Sequence, residues 1–399
     1  MTRRCKRPVL GTLSLLLTLA LVAAACGDSD DSAEEATTQA PATTAAPAEP
    51  AEAPAEPAEA PATTEAPAEP AEAPATTEAP ATTEAPPEPA DVSVRLDFFT
   101  VGGYHSPFHV AVENGYYAEE NLTVTINEGQ GSASTAQLVA AGEDTFGLST
   151  GNIVVTSVTE GLPIKSVAQW LINTGFCVIS LDGSGIESVD DMPGRKLANP
   201  PFGASGPLLP AFFAKYGITY PGDIEEVTID PSAATPALLE GATDLWVSTN
   251  FGFPVQFEAE FGRSTNCFPF KDVGVDPVGW ALHSNTAFIA ENPGVVERFV
   301  RATMRGWQWT LANPVEAGQI TRDRVPTATN DPETAAAHLA ALVASGLDPA
   351  PRDGRTSWGQ HPVDQWENTI ELMVNFLGLE NPPALEDLFT DEFVPTDLP

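Results

Sequence analysis

The sequence predicts an α/β fold with largely parallel sheets, and three observations point there. Apolar stretches of period two alternate with helix-like stretches from Val92 onward. Glycine-rich turns stand where strands run into helix starts. Gly27 to Ala90 has a composition unable to bury a core, so the fold begins after it.

Val92, Val94, Leu96 and Phe98 alternate with Ser93, Arg95 and Asp97, which makes a strand with its polar residues turned outward. Gly102-Gly103-Tyr104-His105 follows, and Pro107 suits the first turn of a helix that closes at Gly115. Thr123 to Glu128 reads as the next strand, leading through Gly129-Gln130-Gly131-Ser132 into a helix that ends near Gly142. Phe146 to Leu148 is a short strand feeding Thr150-Gly151-Asn152 and a helix stopped by Gly161. Ile164 to Trp170 is a further strand. A second region carries strands at Lys196 to Ala198, Val227 to Ile229 and Leu245 to Val247. Its helices run up to Tyr216, after the turn Pro200 to Gly206, and from Ala233 to Glu240. From about Trp280 the pattern reads as helical to the end, with Pro293, Pro314, Pro332 and Pro362 near helix starts.

The first residues read as an export signal. Arg3, Arg4, Lys6 and Arg7 precede an apolar run from Val9 to Val22, too short for a membrane span. Ala23, Ala24 and Ala25 then lead into Cys26 and resemble a bacterial lipobox, which implies cleavage at residue 25 and lipid on the Cys26 sulfur. Residues 26–90 are an Ala/Pro/Glu/Thr tether in which AEPAEAPATTEAP at 55–67 recurs at 68–80. Proline density and glutamate repulsion favour an extended polyproline chain of about 3.1 Å per residue. The folded part is then 91–399. The 399-residue chain carries a net charge of −37, which argues against nucleic-acid binding. Cys177 and Cys267 remain in the folded part, either as a disulfide or as two buried thiols, and no zinc-type cysteine spacing is present.

Several segments share a resemblance in order and spacing. VRLDFFTVGGYHSPFHVAVENGYYAEENLTVTI and GQGSASTAQLVAAGEDTFGLSTGNIVV resemble the opening and first ligand loop of substrate-binding proteins for sulfonate, nitrate, taurine and thiamine-pyrimidine importers. SGIESVDDMPGRKLANPPFGASG resembles the start of their second lobe. NPGVVERFVRATMRGWQWTLANPVEA and DLFTDEFVP resemble their helical return and tail. The resemblance implies a type II periplasmic-binding-protein fold with two lobes, a hinge and an interlobe cleft. Lobe 1 would be about 92–180 plus 281–399 and lobe 2 about 181–280, with crossings near Ser180 and Gly279. It also implies capture of a small molecule by lobe closure, an ABC importer permease and ATPase as partners, and a monomer on the outer face of the cytoplasmic membrane. The candidate ligands are a sulfonate or taurine, nitrate, a thiamine pyrimidine and a flavin-like ring.

Helix beginnings present unpaired N–H groups and a partial positive charge, and glycine turns let a ligand approach them. Gly131-Ser132, Gly151-Asn152 and Gly203-Ser205 stand at such joins, so Gly131, Ser132, Asn152, Gly203 and Ser205 are expected to bind ligand, with helix capping as the competing role. Aromatic candidates are Phe98, Phe99, Tyr104, Trp170, Phe202, Trp246 and Trp280; Trp170, at a strand end, is the preferred stacking residue. Asn250 is a candidate contact from lobe 2. His105 matches the last residue of the first loop of the pyrimidine-binding branch, although the Trp and Asn positions of that loop are not reproduced. His105 and His109 have metal-pair spacing without an evident third ligand, so neither a metal nor a cofactor is expected. The alternative function is an enzyme like the fungal thiamine-pyrimidine synthase branch, whose cysteine-rich iron motif is not found here. An adhesive surface protein would need no cleft.

Substituting Cys26→Ser in the full-length protein should move it from the membrane fraction to the soluble extracytoplasmic fraction. Retention in membranes on cell fractionation would overturn the lipid anchor.

Overall fold

The computed structural model describes residues 87–398, so the export signal, Cys26 and nearly all of the tether lie outside the described residues. Among the described residues ten strands form two five-stranded sheets. The first contains β1 (Ala90–Arg95), β2 (Leu122–Asn127), β3 (Phe146–Thr150), β4 (Ile164–Gln169) and β10 (Trp280–Asn285), in the order β2-β1-β3-β10-β4. The second contains β5 (Phe176–Leu181), β6 (Lys196–Asn199), β7 (Glu225–Thr228), β8 (Leu245–Thr249) and β9 (Thr265–Pro269), in the order β7-β6-β8-β5-β9.

The expected parallel pairing holds for only half of each sheet. β1 pairs in parallel with β2 and β3, and β6 with β7 and β8. The fourth strand of each sheet arrives from the other lobe and enters antiparallel: β10 between β3 and β4, and β5 between β8 and β9. Trp280–Asn285 is therefore a strand, where the sequence reading had helix. Its residues His283, Ser284 and Asn285 break the apolar alternation, yet His283 is fully buried and its Nε2 lies 2.9 Å from Ser149 Oγ. Cys177 of β5 and Cys267 of β9 are joined as a disulfide, with Cα atoms 5.6 Å apart.

Two crossings connect the lobes. The first lies at 171–175, upstream of the expected position, because the fully buried run from Phe176 to Leu181, including Ser180, already belongs to the second sheet. The second is at Val278-Gly279, and Asn173 bridges Val278 across the pair. Gly279 N–H donates to the Ile172 carbonyl at 2.9 Å. A Cβ on Gly279 would overlap the Leu171 carbonyl oxygen, so only glycine lets the two crossings lie this close.

After β10 the chain packs its helices back on the first lobe. The 20-residue helix Pro293–Ala312 buries Phe299 and Trp307. Phe299 stacks on Phe146 at 3.9 Å and Trp307 packs on Trp170 at 5.0 Å. The C-terminal segment is fastened to β4. His361 Nδ1 lies 2.5 Å from Asp391 Oδ1, and its Nε2 lies 2.7 Å from Ser166 Oγ. A carboxylate only accepts, so Nδ1 carries the ring proton and Nε2 accepts from the Ser166 hydroxyl. These are the contacts of a hydrolytic triad, but Ser166 has no exposed surface and Phe389 bridges to it and stacks on His361 at 4.6 Å. The arrangement pins the tail.

Burial pushes His109 and His283 down to about 3. Both folded values lie below the unfolded value of about 6.5, so the unfolded state takes up more protons as pH falls. Their contribution to stability is present above about pH 6.5 and declines toward pH 3, by about 1.4 kcal/mol per pH unit for each ring. Asp276, pushed up to about 6 by burial, acts with the opposite sign, since its folded form holds a proton that the unfolded form has lost. The urea midpoint should fall between pH 6.5 and 4.5, and Asp276→Asn should steepen the fall; a midpoint that is flat or rises on acidification would contradict this account.

Candidate functional site

The period-two pattern of β1 stops at Arg95, and a bend covers residues 97–99. Asp97 therefore leaves the alternation that would have turned it to solvent and is only 6% exposed. Three donors hold its carboxylate. Trp280 Nε1 donates at 2.7 Å, His105 Nε2 lies at 2.9 Å, and the Tyr104 hydroxyl is at 3.3 Å. His105 Nδ1 accepts from the Val101 N–H at 3.1 Å, so the ring proton sits on Nε2 and points at Asp97. Burial, reinforced by the charge of Asp97, raises the Tyr104 phenol well above its ordinary value and keeps it a donor.

Asp97 forms part of the wall of a cavity of about 100 Å³ between the lobes. Phe98, Tyr104, Gly131, Ser132, Trp280 and His338 join it from the first lobe. Phe176, Gly203, Ser205, Trp246, Ser248 and Thr249 are among those facing them from the second. No Lys or Arg is among the described residues that line it. His338 Nε2 and Ser248 Oγ are buried there without a hydrogen-bond partner within the protein.

The helix Ser132–Ala141 starts at Gly131 without a side-chain cap, so its first N–H groups remain open at the cavity edge. Gly131 has φ +135°, and a Cβ there would overlap the Phe202 carbonyl oxygen of the opposite lobe. The expected residues Gly131, Ser132, Gly203 and Ser205 thus share one cavity.

Four other expectations are corrected in position. Trp170 is no stacking platform: it is fully buried, lies flat on Phe108 at 4.3 Å, and donates its Nε1–H to the Tyr104 carbonyl. Asn152 spans the lobes instead of lining the cavity, its Nδ2 donating to the Ala204 carbonyl at 3.0 Å. The Gly151 N–H is taken by the Gly279 carbonyl at 2.8 Å, so this third helix start faces the hinge. Asn250 also sits at the hinge, its N–H bonded to Gly175 O at 2.7 Å. His105 stands behind Asp97, one layer from the cavity.

Of the other aromatic candidates, Phe98, Tyr104, Trp246 and Trp280 line the cavity, whereas Phe99 and Phe202 border outer grooves. Sequence reasoning missed Asp97, His338 and Ser248. A charged residue closing an apolar strand was the available signal for Asp97. His338 lies on the helix Pro332–Ala344, far away in sequence, and had no local signal. Among the described residues no group of three or more His, Cys, Asp or Glu is placed to hold a metal ion, and no helix is long and apolar enough to cross a membrane.

The formylaminopyrimidine-binding protein of Halalkalibacterium halodurans is 28% identical over 305 residues, 75% of this chain and 89% of that protein. A 4-amino-5-hydroxymethyl-2-methylpyrimidine phosphate synthase of Candida albicans is 29% identical over 247 residues, 58% of this chain and 70% of the synthase. Among solved structures, the alkanesulfonate-binding protein SsuA of Xanthomonas axonopodis pv. citri superposes with a TM-score of 0.58 at 14% identity, covering 76% of this chain and 99% of that one. The two-lobed α/β architecture is accordingly the periplasmic-binding-protein fold. With the family model described as NMT1/THI5 like matching residues 103–317, the chain belongs to the NMT1/THI5-like family.

Proposed function

We propose that the protein is an extracytoplasmic solute-binding lipoprotein that captures a nitrogen heterocycle bearing N–H donors and delivers it to an ABC importer. The observation that carries this reading is the cavity lined from both lobes, with a buried carboxylate and no Lys or Arg among the described residues of its wall. A sulfonate or nitrate buried here would face Asp97 with no Lys or Arg to balance its charge, and burying an unpaired charge is costly. An N–H donor finds an acceptor, and a flat ring finds Phe98, Tyr104, Trp246 and Trp280 around it. The name of the formylaminopyrimidine-binding relative is consistent with such a ligand.

Closure would follow from contacts made by both lobes to one solute. The permease and ATPase would then meet the shut form, held near the membrane through Cys26 and the tether. Gly131, Ser132, Gly203 and Ser205 are assigned ligand contacts, and His105 is assigned the role of orienting Asp97. The synthase relative motivates one alternative, a pyrimidine-forming enzyme, which turnover of a bound compound would favour.

A thermal-shift screen of the full chain, stripped of bound ligand, tests this. A compound at a hundred times its dissociation constant should add about 2.7 kcal/mol of stability. Aminopyrimidines or flavins should raise the melting temperature, whereas taurine, alkanesulfonates and nitrate should leave it unchanged. Asp97→Asn should weaken the best binder by about tenfold or more, because one acceptor oxygen becomes a donor. A shift with sulfonates alone would overturn the ligand class, and no shift with any class would overturn capture.

A further inference from the structure

His338 is 4% exposed and lines the cavity from the helix Pro332–Ala344. Its Nδ1 stands 3.2 Å from the Gly102 carbonyl oxygen and 3.1 Å from Asn330 Nδ2. Asn330 Nδ2 itself donates to the same carbonyl at 3.1 Å. The carbonyl accepts and the amide donates, so Nδ1 is anchored in either tautomer. Nε2 is buried and has no hydrogen bond within the protein.

The second lobe comes close on this side. A Cβ on Gly252 would stand 2.9 Å from Nε2, so no side chain at that position screens the ring from the opposite lobe. Burial is the main influence lowering the affinity of the ring for a second proton. The carbonyls of Gly102 and Gly252 work against it. A ring with one nitrogen anchored and the other unpaired holds a hydrogen-bonding position ready. Leaving such an atom unpaired costs free energy, and a polar group on a bound solute would recover that cost.

We propose that His338 Nε2 forms a hydrogen bond with the captured solute and is a specificity-determining residue of the cavity. This inference rests on the capture reading and deepens it. The solute needs two separate polar groups, a donor for Asp97 and a partner for His338. Molecules with only one of them are selected against, because one of the two protein groups then stays buried and unpaired. His338 is also the ligand contact supplied by the helical return, so it couples that part of the chain to occupancy.

The test uses the full-length protein labelled with 15N-histidine, with formylaminopyrimidine and riboflavin as probes; the chain has five histidines, which single substitutions can assign. The Nε2 signal of His338 should move when a bound probe saturates. By calorimetry, His338→Leu should weaken that probe by about tenfold or more while the melting temperature without probe stays near wild type. If the leucine variant does not fold, the NMR measurement on wild type decides alone. An Nε2 signal unmoved at saturation, or a folded leucine variant binding within about twofold of wild type, would overturn the role of His338 and leave capture standing. Failure of the wild-type protein to bind any class of compound would remove the capture reading, and this inference with it.

Discussion

Burying one carboxylate at the cleft constrains everything around it. An isolated charge is expensive away from water, so Asp97 must be met by donors wherever the chain folds. The donors come from two places far apart in sequence: His105 and Tyr104 from the loop after β1, and Trp280 from the start of β10. None of them brings a positive charge in the observed arrangement, because His105 already uses Nδ1 as an acceptor. The carboxylate is thus satisfied in hydrogen bonds while the cavity stays without a local cation. That combination selects against anions and for donors, and it does so through residues that also tie the returning strand to the first sheet.

The same strand explains how hinge and cavity are joined. In each lobe four strands run one way, and an antiparallel strand that directly follows a crossing is inserted among them. Trp280 is the first residue of such a strand, and its carbonyl accepts from the N–H groups of Trp170 and Leu171, at 2.8 and 3.0 Å. Its indole meanwhile forms part of the cavity wall and holds Asp97. Trp280 is hinge, wall and carboxylate donor at once, so rotation about the crossings cannot leave the cavity unchanged.

Much of this was legible in the sequence because it is local. Strand-to-helix joins announce themselves through glycine and serine, and two of the three such joins do meet at the cavity. What failed was long-range. Trp280–Asn285 carries polar residues that break a period-two pattern and left it reading as helix, but it lies between β3 and β4, which bury His283 and Ser284. Trp170 ends a strand, as a platform residue would, yet Phe108 and Trp307 cover its faces. Asp97 fell on the outward phase of an alternation that ends two residues earlier. His338 becomes part of the site only when a helix more than two hundred residues downstream of Asp97 folds back over the cleft. Periodicity reports which face of an element is apolar and is silent on which element will cover it.

The balance of forces across the cleft suits a device that reports occupancy. The hydrogen bond from Asn152 to Ala204 joins the lobes and contributes about 0.5–1.5 kcal/mol by the usual measure. The other half of the same amide, Oδ1, is buried without a partner, which costs about 1–3 kcal/mol. The cost is the larger of the two, and the unpaired His338 Nε2 and Ser248 Oγ weigh further against an empty shut cavity. On the capture reading, the polar groups of the shut form are incomplete until a solute supplies their partners. A cleft held shut by its own contacts would close whether or not it carried cargo; one whose buried polar groups need outside partners gains stability on closing only when filled.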